Sequence, residues 1–99
     1  MSEKTTLVVT AAPNPNEMES VQEYLKGVMP LLTAAGGDLV KRLKVADVIN
    51  GHASGMVLVM DFDSADAIKS MFESSEYAAL VPVRDRGFAQ MNILLTQQM

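Results

Sequence analysis

The sequence contains no cysteine. It can therefore form neither a disulfide framework nor a thiolate metal site, and it has no thiol nucleophile. No apolar run approaches the roughly 18 residues that a membrane span requires, and the apolar run near the amino terminus, residues 7–9, is too short for a secretory signal. From these absences we expect a cytoplasmic protein with no membrane partner.

Positive charge is scarce and scattered. Eight Lys and Arg residues are outnumbered by twelve Asp and Glu residues, so the formal net charge is −4 and we expect no nucleic-acid partner. The only histidine is His52, no group of His or carboxylate residues has metal-ligand spacing, and the six glycines form no phosphate loop. We therefore expect no metal site and no cofactor.

What the sequence does contain is typical of a folded domain. The 99 residues are 48% hydrophobic and 20% charged, which suits one globular domain over residues 1–99 and argues against disorder.

The first third of the chain predicts a strand followed by a helix. Residues 5–12 are rich in Thr, Val and Leu and precede two prolines, as expected for a strand. Asn16 is a candidate helix N-cap, and apolar residues then recur at helical spacing. Pro30 predicts a kink or break near residues 28–29. Gly36 and Gly37 end the helix.

The rest of the chain predicts a hairpin, a second helical region and a last strand. The hairpin strands are residues 38–49 and 54–62, joined by a turn at 50–53. Asp63 or Ser64 caps the second helical region, which restarts at residues 74–76 and is distorted by Pro82. The last strand is Phe88 to Thr96. The order βαββαβ predicts an α+β, ferredoxin-like fold with a four-stranded antiparallel sheet and helices on one face.

The strands expected at the centre of that sheet are apolar at successive positions. Residues 7–9 and 56–60 read Leu-Val-Val and Met-Val-Leu-Val-Met, so both faces of the sheet are apolar there. In the usual strand order of this fold, 4-1-3-2, these two strands lie in the middle. Helices cover one face only, which leaves Val57 and Val59 exposed on the other. A second copy of the chain would cover them, so we expect a homodimer.

Several pieces of the sequence, in this order and at this spacing, resemble one family. They are Gly36-Gly37, Arg42, the strand from Met56 to Ser64 with its acid-Phe-x-Ser end, Ser74-Ser75-Glu76-Tyr77, and Arg84. From about Tyr24 to the carboxyl terminus the chain resembles the uncharacterised family called domain of unknown function 1330. It departs from the usual pattern at Ser75, where proline is common, and in the loop 51–55, where an aromatic residue is common.

The resemblance implies a dimeric α+β barrel, in which the sheets of two subunits face each other. Relatives in that superfamily include cofactor-free monooxygenases, muconolactone isomerase, haem-degrading enzymes and proteins with no known activity. The fold by itself therefore does not identify a reaction.

Five residues are candidates for ligand binding. If the hairpin turn is centred between Gly51 and His52, Arg42 lies directly opposite Asp61, where the pair could orient an anionic or carbonyl-bearing ligand. A cross-strand ion pair that only fixes the register is the alternative.

The other three candidates are Tyr24, Tyr77 and Arg84. Arg84 could close a pocket between the second helical region and the sheet, although a solvated run with Asp85 and Arg86 is the alternative. Tyr24 and Tyr77 could donate phenolic hydrogen bonds to a ligand, or they could be ordinary core residues.

Two functions remain open from the sequence. The first is a cofactor-independent enzyme, similar to a monooxygenase or isomerase, acting on a small apolar carbonyl or phenolic metabolite in a closed pocket. The alternative is a non-catalytic homodimer that binds a small ligand or is structural, with a filled interior. A haem binder is disfavoured because His52, beside glycines in a loop, is badly placed as a ligand. No catalytic residue is identified.

Overall fold

The computed structural model describes residues 4–52 and 54–99, which form a four-stranded antiparallel sheet and four helices. The elements are β1 (Thr5–Pro13), α1 (Met18–Ala34), β2 (Asp38–Lys44), β3 (Met56–Phe62), α2 (Ala65–Phe72), α3 (Ser75–Ala78), α4 (Val81–Gly87) and β4 (Phe88–Thr96). The strand order is β2-β3-β1-β4. This order confirms the predicted ferredoxin-like arrangement, with α2, α3 and α4 in the place of its second helix.

Burial alternates along the two central strands. The buried side chains are Leu7, Val9 and Ala11 in β1 and Leu58, Met60 and Phe62 in β3. They share one hydrophobic core with residues of all four helices. Since alternate strand residues point to the same side of a sheet, the helices cover that side.

The other side of the sheet carries an apolar surface, which we call the open face: Val8, Leu43, Val57, Val59 and Leu94. These residues are neighbours across the four strands, because Val8 lies opposite both Val59 and Leu94, and Leu43 lies opposite Val57. In the single chain Leu43 and Leu94 are 47% and 49% exposed, and the three valines are partly exposed. The predicted exposure of Val57 and Val59 is therefore confirmed.

The hairpin is shorter than expected, and its register is different. β2 ends at Lys44 instead of residue 49, β3 begins at Met56 instead of residue 54, and a bulge lies between Leu39 and Lys41. Consequently a long loop joins the strands where a tight turn was predicted; Ala53 of that turn lies outside the described residues.

The predicted pairing of Arg42 with Asp61 is wrong. Arg42 lies opposite Leu58, and Asp61 lies opposite Asp38 on one side and Thr6 on the other. Asp61 accepts a 2.6 Å hydrogen bond from the Thr6 hydroxyl. The prediction failed because the bulge and the long loop both shift the register that a centred turn would give.

The first helix also differs from the prediction at two points. Asn16 is not its N-cap: the helix begins at Met18 after Glu17, and the backbone N–H of Asn16 donates to the side chain of Asn14. Pro30 does not break the helix, which continues to Ala34. Pro30 is exposed, so the carbonyl that loses its hydrogen-bond donor lies toward solvent. Gly36 has a φ of 94°, which confirms the expected left-handed helix end.

Serine caps divide the second helical region as predicted. Ser64 caps α2 by accepting from the N–H of Ala67, and Ser74 caps α3 by accepting from the N–H of Tyr77. Pro82 lies in the first turn of α4, where its missing N–H leaves no helical hydrogen bond unmade, so it begins this helix.

The helices α1 and α4 touch at Gly87. A Cβ atom on Gly87 would lie 2.9 Å from the backbone nitrogen of Val21 and 3.1 Å from the carbonyl carbon of Ser20. Next to this contact, Arg86 Nε donates to the buried Ser20 Oγ at 3.0 Å, and the Asn14 N–H donates to the Gly87 carbonyl at 2.8 Å. Backbone therefore faces backbone here, and a side chain has no room.

Replacing Gly87 by alanine is expected to lower the free energy of unfolding by about 1–3 kcal/mol, since an extra methyl must push two helices apart. Gly27→Ala is the matched control. The three atoms nearest to a Cβ on Gly27 all belong to the Leu80 side chain, whose flexible end lies 2.6 Å away and can move, and alanine gains up to about 1 kcal/mol of helix propensity. Urea denaturation of both variants checks this, and equal losses would contradict it.

Candidate functional site

Three of the five candidate residues form one hydrogen-bonded chain. The hydroxyl oxygens of Tyr24 and Tyr77 are 2.8 Å apart, and the terminal nitrogen Nη1 of Arg84 donates to the Tyr77 hydroxyl at 3.1 Å. Both tyrosines are 3% exposed, whereas Arg84 is partly exposed. The chain of polar groups thus runs from the core to the surface.

Each member of this chain is positioned by a different helix. Tyr24 lies in the middle of α1, Tyr77 in the single turn of α3, and Arg84 in α4. Ser74 sets the start of α3, because its hydroxyl donates to the carbonyl of Met71 at 2.6 Å while accepting from the Tyr77 N–H. The position of Tyr77 therefore depends on how α2 ends.

Aromatic packing fixes the orientation of the two phenol rings. Tyr24 meets Tyr77 and Phe88 edge-to-face, with ring centroids 6.2 and 5.5 Å away, and Phe72 meets Tyr77 in the same way at 4.8 Å. The guanidinium of Arg84 lies 5.9 Å from the centroid of the Tyr77 ring. Such contacts add to the hydrogen bonds in holding Tyr77 still.

The electrostatics of this cluster keep Tyr24 neutral and Arg84 charged. Burial raises the pKa of Tyr24 far above its ordinary value, and the hydrogen bond to Tyr77 raises it further. Partial burial lowers the pKa of Arg84, but its hydrogen bonds to Tyr77 and Asp85 and the charge of Asp85 outweigh this, so that the net shift is upward. At neutral pH Tyr24 is therefore a hydrogen-bond donor and not a base.

Asp85 holds the other side of the Arg84 guanidinium. Its oxygen Oδ1 is 3.1 Å from Nε and 3.1 Å from Nη2 of Arg84. Asp85 is mostly exposed, so this pair orients the guanidinium and contributes little to stability. Asp85 and Arg86 are both exposed, and Arg86 also donates to Ser20.

Tyr77 and Arg84 border a cleft of about 350 Å³ between α2 and the edge strand β4, which we call the groove. It is lined by Ile68, Lys69, Phe72, Glu73, Tyr77, Arg84, Ile93 and Leu95. A second cleft of about 350 Å³ adjoins it and shares Arg84 and Ile93. Both volumes are in the range of small-molecule sites.

The interior between the sheet and the helices is nearly filled. The space beside Tyr24 there is about 20 Å³, which is enough for about one water molecule. The closed apolar pocket expected for an enzyme is therefore not seen among the described residues, and the groove, open to solvent, takes its place.

The remaining candidate residues from the sequence lie elsewhere. Arg42 is exposed on β2, at the opposite edge of the sheet from β4, and Asp61 lies on the side of the sheet opposite the helices. His52 is exposed in the loop before β3, as expected. Across residues 4–52 and 54–99, no three His, Cys, Asp or Glu residues come together as a metal site.

The apolar walls of the groove are missing from the sequence-based candidates. Phe72 comes from α2, and Ile93 and Leu95 come from the helix-facing side of β4. The signal was the alternation of Met91, Ile93 and Leu95, which predicts one apolar face. Their exposure was not predictable from the sequence, because it depends on how much of β4 the helices cover.

Comparison with known proteins identifies a family but no activity. The family profile described as Domain of unknown function (DUF1330) matches residues 5–99. No curated protein matches significantly. In the described part of the chain, no helix combines the length and apolar character that membrane crossing demands.

Solved structures with the same fold have little sequence identity to this chain. A protein of unknown function from Rhodopseudomonas palustris has a TM-score of 0.83 at 14% identity, covering 100% of this chain and 85% of that one. A proposed antibiotic biosynthesis monooxygenase from Nitrosomonas europaea has a TM-score of 0.71 at 13% identity, covering 100% and 93%. A dimeric protein of unknown function and ferredoxin-like fold from Bacteroides fragilis has a TM-score of 0.63 at 10% identity, covering 99% and 100%.

Proposed function

The chain belongs to the family described as Domain of unknown function (DUF1330), and from this premise we propose that it binds a small, largely apolar molecule in the groove. The molecule presents a carbonyl or phenolic oxygen to Tyr77 and Arg84. The observation that carries this proposal is the hydrogen-bonded chain from Tyr24 through Tyr77 to Arg84, which ends at the groove.

The groove has the composition that such a ligand needs. Its walls include the apolar side chains of Ile68, Phe72, Ile93 and Leu95, and the hydrogen-bond donors Tyr77 and Arg84 line it as well. An apolar site with a few oriented polar groups is the usual form of a small-molecule site. The filled interior favours this surface groove over an enclosed active site.

We also propose that two copies of the chain associate through the open face. Five apolar side chains lie side by side there without cover from the helices. Their burial against a second sheet is favourable at roughly 25 cal/mol per Å² of apolar area. The Bacteroides fragilis protein of the same fold is dimeric, which supports self-association without identifying its interface.

A second candidate function is cofactor-independent catalysis on the same kind of ligand. It is favoured by the Tyr77 hydroxyl, which lies beside a permanently charged guanidinium at a site of about 350 Å³, and by the fold shared with the proposed monooxygenase. Consumption of oxygen or of a bound carbonyl compound by the purified chain distinguishes catalysis from binding. The single domain over residues 1–99, the cytoplasmic location, and the lack of metal, cofactor, nucleic-acid and membrane partners stay predictions.

The three isoleucines of the chain give a direct test of binding. Ile68 and Ile93 line the groove, whereas Ile49 is 99% exposed in the loop between β2 and β3. In a titration with acetophenone or 4-ethylphenol, monitored by NMR of isoleucine methyl groups, we expect the signals of Ile68 and Ile93 to shift and that of Ile49 to stay.

Arg84→Gln is expected to weaken this binding about tenfold, because a hydrogen bond to a charged group is worth about 1.5–3 kcal/mol. Arg42→Gln is the matched control, since it removes the same charge at the opposite edge of the sheet. Shifts that are equal at all three isoleucines, or equal weakening by the two substitutions, would refute the proposed site.

A further inference from the structure

The hydrogen-bonded chain has a preferred direction. Arg84 can only donate, so the Tyr77 oxygen accepts from it. Tyr24 is buried, and Tyr77 is the partner that its hydroxyl has among the described residues. If Tyr77 donated to Tyr24, the proton of the Tyr24 hydroxyl would be left in the nearly filled interior without an acceptor, which is costly. In the opposite direction the proton left over belongs to Tyr77, which is equally buried but lines the groove, where water or a ligand can accept it. The favoured direction is therefore from Tyr24 to Tyr77.

With Tyr24 as the donor, the hydroxyl proton of Tyr77 has no acceptor within the hydrogen-bonded chain. Its oxygen accepts two hydrogen bonds, from Tyr24 and from Arg84, and accepting hydrogen bonds makes a hydroxyl a stronger donor. Tyr77 also lines the groove. The side chain that carries this polarised donor thus borders a largely apolar cleft.

Arg84, which also lines the groove, has N–H groups that are not used in these contacts. A guanidinium carries five N–H groups. Nε and one N–H of Nη2 face Asp85, and one N–H of Nη1 faces Tyr77. In the described part of the chain, one N–H on each terminal nitrogen has no other partner, so Arg84 can still donate to the oxygens of a carboxylate.

We infer that the ligand of the groove is a monocarboxylate with an apolar body, whose carboxylate accepts from the Tyr77 hydroxyl and from the free N–H groups of Arg84. This inference rests on the proposed function and names its ligand class. A group that only accepts hydrogen bonds suits these donors, and a carboxylate offers two charged oxygens where a ketone or a phenol offers one oxygen.

The charges around the groove favour a ligand that carries a single negative charge. Lys69 and Arg84 are positive, while Glu73 of the groove and Asp85 of the adjoining cleft are negative. Because these charges balance, selectivity comes from the fixed donors more than from net attraction. A dianion such as a phosphate monoester would be repelled by two nearby carboxylates, so we expect it to bind more weakly than the monoanion.

Phenylacetate and phenylacetamide separate this inference from the proposed function, since they have nearly the same shape and differ in charge. At pH 7, titrations monitored at the methyl groups of Ile68 and Ile93 are expected to show phenylacetate binding at least about tenfold more tightly than the amide. Phenyl phosphate is expected to bind at least several-fold more weakly than phenylacetate. Arg84→Gln is expected to bring the acid and the amide to within about twofold, and Arg42→Gln to leave their ratio unchanged.

Each outcome decides one of the two claims. If the amide binds in the groove as tightly as the acid, or phenyl phosphate binds more tightly than either, the carboxylate inference is overturned and the proposed binding function stands. If no probe shifts Ile68 or Ile93, both fail. Since Arg84 is partly exposed but also donates to the Tyr77 hydroxyl, unchanged methyl signals outside the groove verify that the Arg84→Gln variant is folded.

Discussion

Replacing Tyr77 by phenylalanine is expected to lower the free energy of unfolding by about 2–3 kcal/mol, more than any other substitution in the hydrogen-bonded chain. The change removes one oxygen and keeps the aromatic packing against Tyr24 and Phe72. It deletes two hydrogen bonds, to Tyr24 and to Arg84, and leaves the buried Tyr24 hydroxyl unpaired. Urea denaturation at a fixed protein concentration measures the effect.

Tyr24→Phe is the matched substitution, with the smaller expected loss of about 1 kcal/mol. It removes the Tyr24 hydroxyl, which is the buried end of the hydrogen-bonded chain. The Tyr77 oxygen still accepts a hydrogen bond from Arg84 at the surface end. The double variant is expected to be no less stable than Tyr77→Phe alone, because Tyr24 then has no hydroxyl to leave unpaired. The two losses are therefore strongly non-additive.

A double-mutant cycle decides whether the two hydroxyls are coupled. Equal losses from the single substitutions that add up in the double variant would mean that the 2.8 Å contact between them carries no stability. In that case a hydrogen bond donated from Tyr24 to Tyr77 would have no energetic support. The chain has two tyrosines and no tryptophan, so tyrosine absorbance reports each phenol separately in the single variants.

Local signals in the sequence were sufficient for most of the secondary structure. The last strand runs from Phe88 to Thr96 as predicted, and Ser64 and Ser74 cap the helices that follow them. These features depend on short-range chemistry, such as a hydroxyl reaching an N–H three residues ahead. Strand order followed from composition as well, because residues 7–9 and 56–60 are apolar on both faces.

Features set by longer-range contacts were mispredicted. The register between β2 and β3 depends on a bulge near Val40, and no local sequence pattern predicts this bulge. As a result, Arg42 and Asp61 do not lie opposite each other. Residues 45–49 look like a strand because they are partly apolar, but among the described residues the last backbone hydrogen bond from this segment joins Val45 to Gly55. A strand ends where its partner ends.

In the candidate site, too, the local chemistry could be predicted from the sequence but the long-range contacts could not. Tyr24, Tyr77 and Arg84 were each chosen for their chemistry, but nothing in the sequence indicated that the two tyrosines, 53 residues apart, share a hydrogen bond. That contact exists because α3 is a single turn that places Tyr77 over α1. The alternatives of core packing and ligand binding are not exclusive here, since Tyr77 is buried and also lines the groove.

Leu94→Lys is expected to convert a homodimer into a monomer, which tests the association proposed for the open face. Leu94 is 49% exposed in the single chain, so a lysine there costs the monomer little. In a two-fold dimer the substitution places two unpaired ammonium groups between apolar sheets, at several kcal/mol in total. Because 1.4 kcal/mol is a factor of ten, we expect the dissociation constant to rise at least about 100-fold.

Met18→Lys is the matched control. Met18 is 46% exposed, nearly the same as Leu94, and lies at the start of α1, on the helical side of the sheet. It gains the same charge and loses a similar apolar side chain, so a general effect of charge on association would appear in both variants. We expect Met18→Lys to remain dimeric.

Light scattering at micromolar concentration measures the molar mass, and therefore the oligomeric state, of both variants and of the unaltered chain. Val59→Lys, at the centre of the open face, is expected to dissociate the dimer more completely than Leu94→Lys, because Val59 pairs with Val8 in the middle of the sheet. An unaltered chain that is already monomeric would refute the association. A dimer that survives both open-face substitutions would place the interface elsewhere, and the apolar open face would then need another partner to explain it.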